Sequence, residues 1–405
     1  MPKYIVMQDN FTARKSNGGS ATALAVKGKA GENNTVKIST SELADVDAAQ
    51  LALEPGTLVA RAMPLRLIRP TSSMTDTKSL TTDGMTWGIS EIQAHRSKLN
   101  GSGIKVGVID TGIDDSHQCF RGVKFEMTDY TGEGLKDTDG HGTHCAATIF
   151  GRDVNGIRIG VAPGVSDVFV GKAIGTGGGD SSMLMQAIED AVAYGCNVIS
   201  MSLGFDYAAL AKELYEVDNL PLELASAVAL YQYRSNVRLF DRLGAMLAAR
   251  PQTGQHEVLL IAASGNESRR DQHSTYEMPA VPPSEADQFV SVGAVQRNSN
   301  GKLSIAPFSN INCALCAPGV DILSAKAGTK DGLIAMSGTS MAAPHVAGVA
   351  ALRFQAAQRG TTSTSFYRSP SLARENLLRG TSLANFDSGC DERQIGLGLV
   401  LAPLV

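Results

Sequence analysis

The sequence predicts an α/β fold, a mostly parallel sheet with helices on both faces, preceded by a small α+β block. Three observations carry this. Apolar runs (IKVGVI, VFVGKAI, VISMSL, VLLIAA, FVSVGAV) alternate with helical stretches such as SSMLMQAIEDAVAYG, the order expected of strands joined by crossover helices. IKVGVI is apolar without alternation, as a strand covered on both faces should be. With 405 residues, 43% of them hydrophobic and 19% charged, the chain can bury one large core and a smaller one.

Taken in order, residues 1–70 offer strand-like YIVM, a second apolar stretch ATALAV, strand-like TVKIS, a helix in SELADVDAAQLAL, and an extended TLVARAMPLRLIRP. The linker TSSMTDTKSLTTDG at 71–84 is rich in turn-forming residues. The large domain then runs from 85 to 405. It carries an unusual stretch at about 206–257, with two helical segments broken at Pro221, the second amphipathic in VALYQYRSNVRLFDRLGAML. That stretch reads either as a lengthened helix with a surface hairpin or as a docking or lid element beside the site.

Three segments carry chemistry. A serine hydroxyl is a poor nucleophile until a base takes its proton, and the base needs a carboxylate to fix its tautomer. VIDTGID at 108–114 ends an apolar strand on Asp110, at the carboxyl edge where open α/β sheets place their sites. DGHGTHCAA at 139–147 and GTSMAAPHVAG at 338–348 place His141 and Ser340 at the starts of small-residue helices. A helix start surrounds Ser340 with free N–H groups that suit an oxyanion. LLIAASGNES at 259–268 is a further strand ending in a polar turn at Asn266. No glutamate of an HExxH pattern accompanies His141 and His144, and the glycine run at 175–179 lacks the lysine of a phosphate loop.

Over roughly 85–400 these four segments resemble the motifs of the subtilisin family of serine proteases. The resemblance implies a serine endopeptidase acting through an acyl-enzyme: Ser340 attacks, His141 is the base, Asp110 orients it, and Asn266 helps hold the oxyanion. It implies that GTGGGDSS, with Gly177, Gly178 and Gly179, and MSLG, with Ser202, Leu203 and Gly204, hold an extended peptide between them. Ala263, Ser264 and Gly265 would join Ser202–Gly204 in walling the primary specificity pocket, with Glu267 near its far end. HGTHCA is similar to the proteinase K branch, which implies a thiol at Cys145 close under His141. The block 1–70 resembles the family's propeptide, a partner that blocks the cleft; self-cleavage is then expected in 71–84, leaving a mature enzyme from near Trp87. An unrelated accessory domain is the other reading of that block.

Two departures matter. SHQCF at 116–120 has Cys119 where many members carry the aspartate of a strong calcium site, so that site is expected to be lost, although GRDVNGIRIG keeps Asp153 and Asn155. No metal or other cofactor is expected to be required; a different calcium or ion site stays open. Ala147 replaces a usual glycine. A net charge of −4 gives no reason to expect nucleic acid as a partner, and no apolar run reaches the roughly 18 residues of a membrane span. MPKYIVMQDN lacks the pattern of a secretory leader, which favours a cytoplasmic address unless a leader is absent from this chain. The six cysteines, at 119, 145, 196, 313, 316 and 390, lie in apolar segments and read as buried free thiols. Two other functions fit the same motifs: a silent scaffold that binds peptide or a partner protein, and an esterase or transpeptidase.

Overall fold

The apolar runs become the middle of a parallel sheet. Lys105–Asp110, Val198–Met201 and Leu259–Ala263 lie side by side. Asp167–Lys172 and Lys124–Asp129 extend the sheet on one flank, Phe289–Arg297 and Leu315–Pro318 on the other. In the computed structural model, which describes residues 1–9, 22–25, 35–69, 71–72, 80–250, 255–359 and 370–404, this sheet has ten strands. Because successive side chains of a strand point to opposite faces, each strand feeds two cores. Val106, Val108, Val198 and Ile261 pack with the helices His141–Phe150 and Thr339–Gln358; Ile109, Ile199, Met201 and Leu260 pack with Ser181–Tyr194 and Leu222–Ala249. Helices therefore cover both faces, as the alternation predicts.

Local chemistry sets the helix limits. Asp180 caps Ser181–Tyr194 by accepting from the Ser182 and Met183 amides, and Gly195 ends it at φ 96°, a left-handed conformation that glycine adopts without cost. In the stretch at about 206–257, an insertion in the large domain, Asp206 caps Tyr207–Glu216 through the Ala209 amide, and Pro221 precedes Leu222–Ala249. The two predicted helices and the break at Pro221 are both present.

The N-terminal block is an antiparallel sheet in the order Thr22–Ala25, Thr35–Glu42, Lys3–Asp9, Thr57–Arg61, with one helix among its described residues, Asp45–Leu51. That helix is shorter than the sequence suggests, because the preceding strand runs through Glu42. Ile5, Met7, Ile38 and Ala60 are buried in the same apolar cluster as Leu184, Leu210 and Phe240, so the block's core continues into the insertion and the neighbouring helix. Fully burying an isoleucine, leucine, methionine or phenylalanine side chain contributes about 1.5–3 kcal/mol. From the block the chain runs as Pro64–Leu67 into the large domain. Thr71–Ser72 adds to Leu333–Ser337, and residues 73–79 of the expected linker lie outside the described residues.

Candidate active site

Asp110 ends its strand almost fully buried, with Oδ1 accepting from the Thr111 amide at 2.8 Å and lying 2.7 Å from His141 Nδ1. The chain brings His141 there because Gly140, at φ 93°, turns into the helix, and because Gly142 allows a close approach. A β-carbon at 142 would lie 2.1 Å from the Gly112 carbonyl oxygen. Buried Asp137 braces the turn, accepting from the amides of Gly140 and Thr143 and from the hydroxyls of Thr111 and Thr143. Burial pushes the His141 pKa down, but the Asp110 carboxylate outweighs it and holds the imidazole well above the usual histidine range. His144, also buried, points away to the carbonyls of Ile322 and Ile334; desolvation lowers it to about 3, so it stays neutral.

Ser340 is the second residue of Thr339–Gln358, and Pro344 lies four residues on. A proline has no N–H to return to the carbonyl four residues back. The Ser340 carbonyl oxygen accepts instead from Ser202 Oγ at 3.2 Å and Cys145 Sγ at 3.3 Å. Cys145 thus lies beneath the site, 3.8 Å from His141 Nδ1, its thiol pKa raised by burial. Asn266 Oδ1 accepts from the amide and hydroxyl of Thr339, both at 2.9 Å, which turns its N–H₂ group toward the cleft.

The cleft is filled by the chain itself. Pro64–Leu67 lies between Gly179–Asp180 and Leu203–Phe205 as the middle strand of an antiparallel sheet. Leu65 pairs with Gly179 and Phe205, Arg66 with Gly204, and Leu67 with Leu203. Gly179 has no room for a side chain, since a β-carbon would lie 2.1 Å from the Ala173 carbonyl oxygen. Gly178 turns at φ 88°, while the Gly177 amide points to Glu133, not to the strand. Past the strand, Ile68 Cδ1 would sit 3.8 Å from a β-carbon on Gly204. Ser340 Oγ donates to the Ile68 carbonyl oxygen at 2.9 Å, and Asn266 Nδ2 donates to the next carbonyl, that of Arg69, at 3.1 Å. His141 Nε2 is buried with no hydrogen-bond partner among the described residues.

The sequence pattern described as the subtilase family matches residues 101–395. The chain belongs to the subtilase family. It is 34% identical over 274 residues to subtilisin NAT of Bacillus subtilis subsp. natto and 33% identical over 272 residues to subtilisin E of Bacillus subtilis (strain 168). Each match covers 66% of this chain and 60% of the relative's length. The major intracellular serine protease of Bacillus subtilis (strain 168) is 34% identical over 264 residues, 63% of this chain and 69% of that protein.

In this subtilase, Ala263 closes its strand, the Ser264 amide donates to Val292, and Gly265, at φ 113°, donates to Thr339 Oγ1. Glu267 lies beside Gly265, where a β-carbon would be 2.4 Å from its Oε2. Its Oε1 lies 2.7 Å from Arg66 Nη2. Cys119 is buried, with Sγ 3.1 Å from His117 Nδ1 and its pKa pushed up to about 12 by desolvation. All six cysteines are free. Among the described residues, the one His/Cys/Asp/Glu group compact enough to hold an ion is Asp110, His141 and Cys145, which are already joined to each other by contacts. No described helix is long and apolar enough to cross a membrane. Sequence reasoning did not single out Asp137 or the tail residues Ile68 and Arg69. For the Ser340 carbonyl a signal existed, because Pro344 follows at the spacing that frees it.

Proposed function

We propose that this subtilase is a serine endopeptidase, synthesised as a precursor whose N-terminal block seals the cleft and which cuts itself. The observation that carries the reading is the Ile68 carbonyl lying on Ser340 Oγ while Asp110 holds His141 at 2.7 Å. In the reaction, His141 Nε2 takes the Ser340 proton as Oγ adds to the carbonyl carbon, and Asn266 Nδ2 with the Ser340 amide stabilises the resulting oxyanion. The proton then passes to the leaving amine, the acyl group stays on Oγ, and water releases it. The block 1–70 acts as a propeptide-like partner, and peptides and proteins are the substrates. No metal is assigned a role in these steps.

In the seated tail Asn266 holds the Arg69 carbonyl and His141 Nε2 is unpartnered, a resting arrangement. Cutting requires the Ile68 carbonyl to turn toward the Asn266 amide, which frees Arg69. The favoured bond is Ile68–Arg69, upstream of the 71–84 linker that the sequence suggested. That same off-register seat favours a second reading, a silent scaffold plugged by its own tail. Mass spectrometry of the purified chain separates the two. The endopeptidase reading expects two fragments from the wild type and one intact chain from Ser340→Ala. An intact wild-type chain that also fails to label with a serine-directed phosphonate would establish the scaffold.

A further inference from the structure

Glu267 is held from behind by Asn310, which lies outside the tail strand. Its Oε2 accepts from Asn310 Nδ2 at 2.6 Å and its amide donates to Asn310 Oδ1 at 3.0 Å. Asn310 is itself fully buried and further tied to the Ser268 amide and the Ser264 carbonyl. With one oxygen and the backbone held, the remaining oxygen is presented to the cleft, and there it meets Arg66 Nη2 at 2.7 Å. Arg66 pairs in antiparallel register with Gly204, and Ile68, two residues on, has its carbonyl on Ser340. The acid is therefore set for the third residue before the presented bond, not the first, whose aliphatic side chain lies against Gly204. Across the bond, Arg69 lies 3.9 Å from Asp139.

We propose that Glu267 is a binding site for a basic side chain on the third residue before the cleaved bond, so that the substrates are segments reading basic, any residue, aliphatic. This rests on the endopeptidase reading above. A charge-assisted contact with a carboxylate held by Asn310 gives about a tenfold preference for arginine over an uncharged chain of similar length. The Arg66 side chain is 38% exposed, so the preference should weaken as salt is added.

The test uses the full chain and quenched peptides of core Leu-X-Leu-Ile-Arg-Ala, with X arginine, norleucine or glutamate, the cut position read by mass spectrometry. The expected kcat/KM is about tenfold higher for arginine than for norleucine, lowest for glutamate, with the arginine-to-norleucine ratio collapsing to about one in Glu267→Gln. A wild-type ratio near one, or a ratio that survives Glu267→Gln, overturns the site. If no peptide is cut at all, the endopeptidase reading has failed, and amide exchange still decides the site. In the Ser340→Ala chain, adding Glu267→Gln should speed exchange at residues 65–68 about tenfold; unchanged exchange there overturns it.

Discussion

At the residue scale, Asp110, His141 and Ser340, the proposed acid, base and nucleophile, form a chain of contacts whose first link is closed and whose second is open while Ile68 is seated. The proposed mechanism needs His141 neutral, and its pKa is held above the ordinary histidine range. Peptide hydrolysis should therefore rise with pH through a limb above about 6.5, the ordinary histidine value, not at it. Asp110→Asn removes the raising charge, so the limb should move to lower pH while kcat falls by about 10⁴, read from a pH–rate profile. Asn266→Ala should lower kcat by about 10²–10³ with little change in KM, the signature of a donor used only in the transition state. These residues were legible because each lies inside a contiguous motif whose local chemistry, a strand end or a helix start, already places it. The Arg66–Glu267 pair was not, because its members are 201 residues apart and no periodicity links them. Asp137 was hidden for a different reason: a buried acid in a turn has the same sequence appearance as an exposed one.

At the element scale, strand and helix types were readable from apolar patterning, and the misplaced helix start in the N-terminal block shows where that reading stops. SELADVDAAQLAL has helical composition throughout, yet Ser41 and Glu42 pair with Tyr4 and Lys3 across the sheet, so a tertiary partner decided the boundary. The helix Ser181–Tyr194 carries a cost the sequence also concealed. Glu189 is 5% exposed, and burial, helped by Asp190, raises its carboxyl to about 8. Above the unfolded value near 4.3 the unfolded chain gives up this proton while the folded one keeps it, so stability falls as pH rises from there to about 8. Glu189→Gln should stabilise the fold by on the order of 2 kcal/mol at pH 8 and by little at pH 5, measured by denaturant unfolding.

At the scale of the whole molecule, the insertion connects the block to the large domain. Arg61 Nη2 lies 2.8 Å from Glu213, its Nη1 3.6 Å from Asp218, and its backbone bonds to Gln232 and Asn236 of the long helix. These contacts join the stretch 206–257 to the N-terminal block, and the proposed precursor reading gives them a role in keeping the block seated. Arg61→Ala should loosen the block and speed the appearance of peptidase activity several-fold, with the difference shrinking at high salt because both acids are about half exposed. Deleting 206–220 should do the same more strongly; equal rates of appearance in all three chains would remove the docking role. The tail strand has one more consequence. Since Ile68 reaches Ser340 on the same chain, its occupancy is governed by an effective concentration, millimolar or so for short flexible connections, and not by how much protein is present. On the proposed precursor reading, an uncut chain is thus equally silent at any dilution, whereas a severed block becomes a separate solute that dilution alone can strip away.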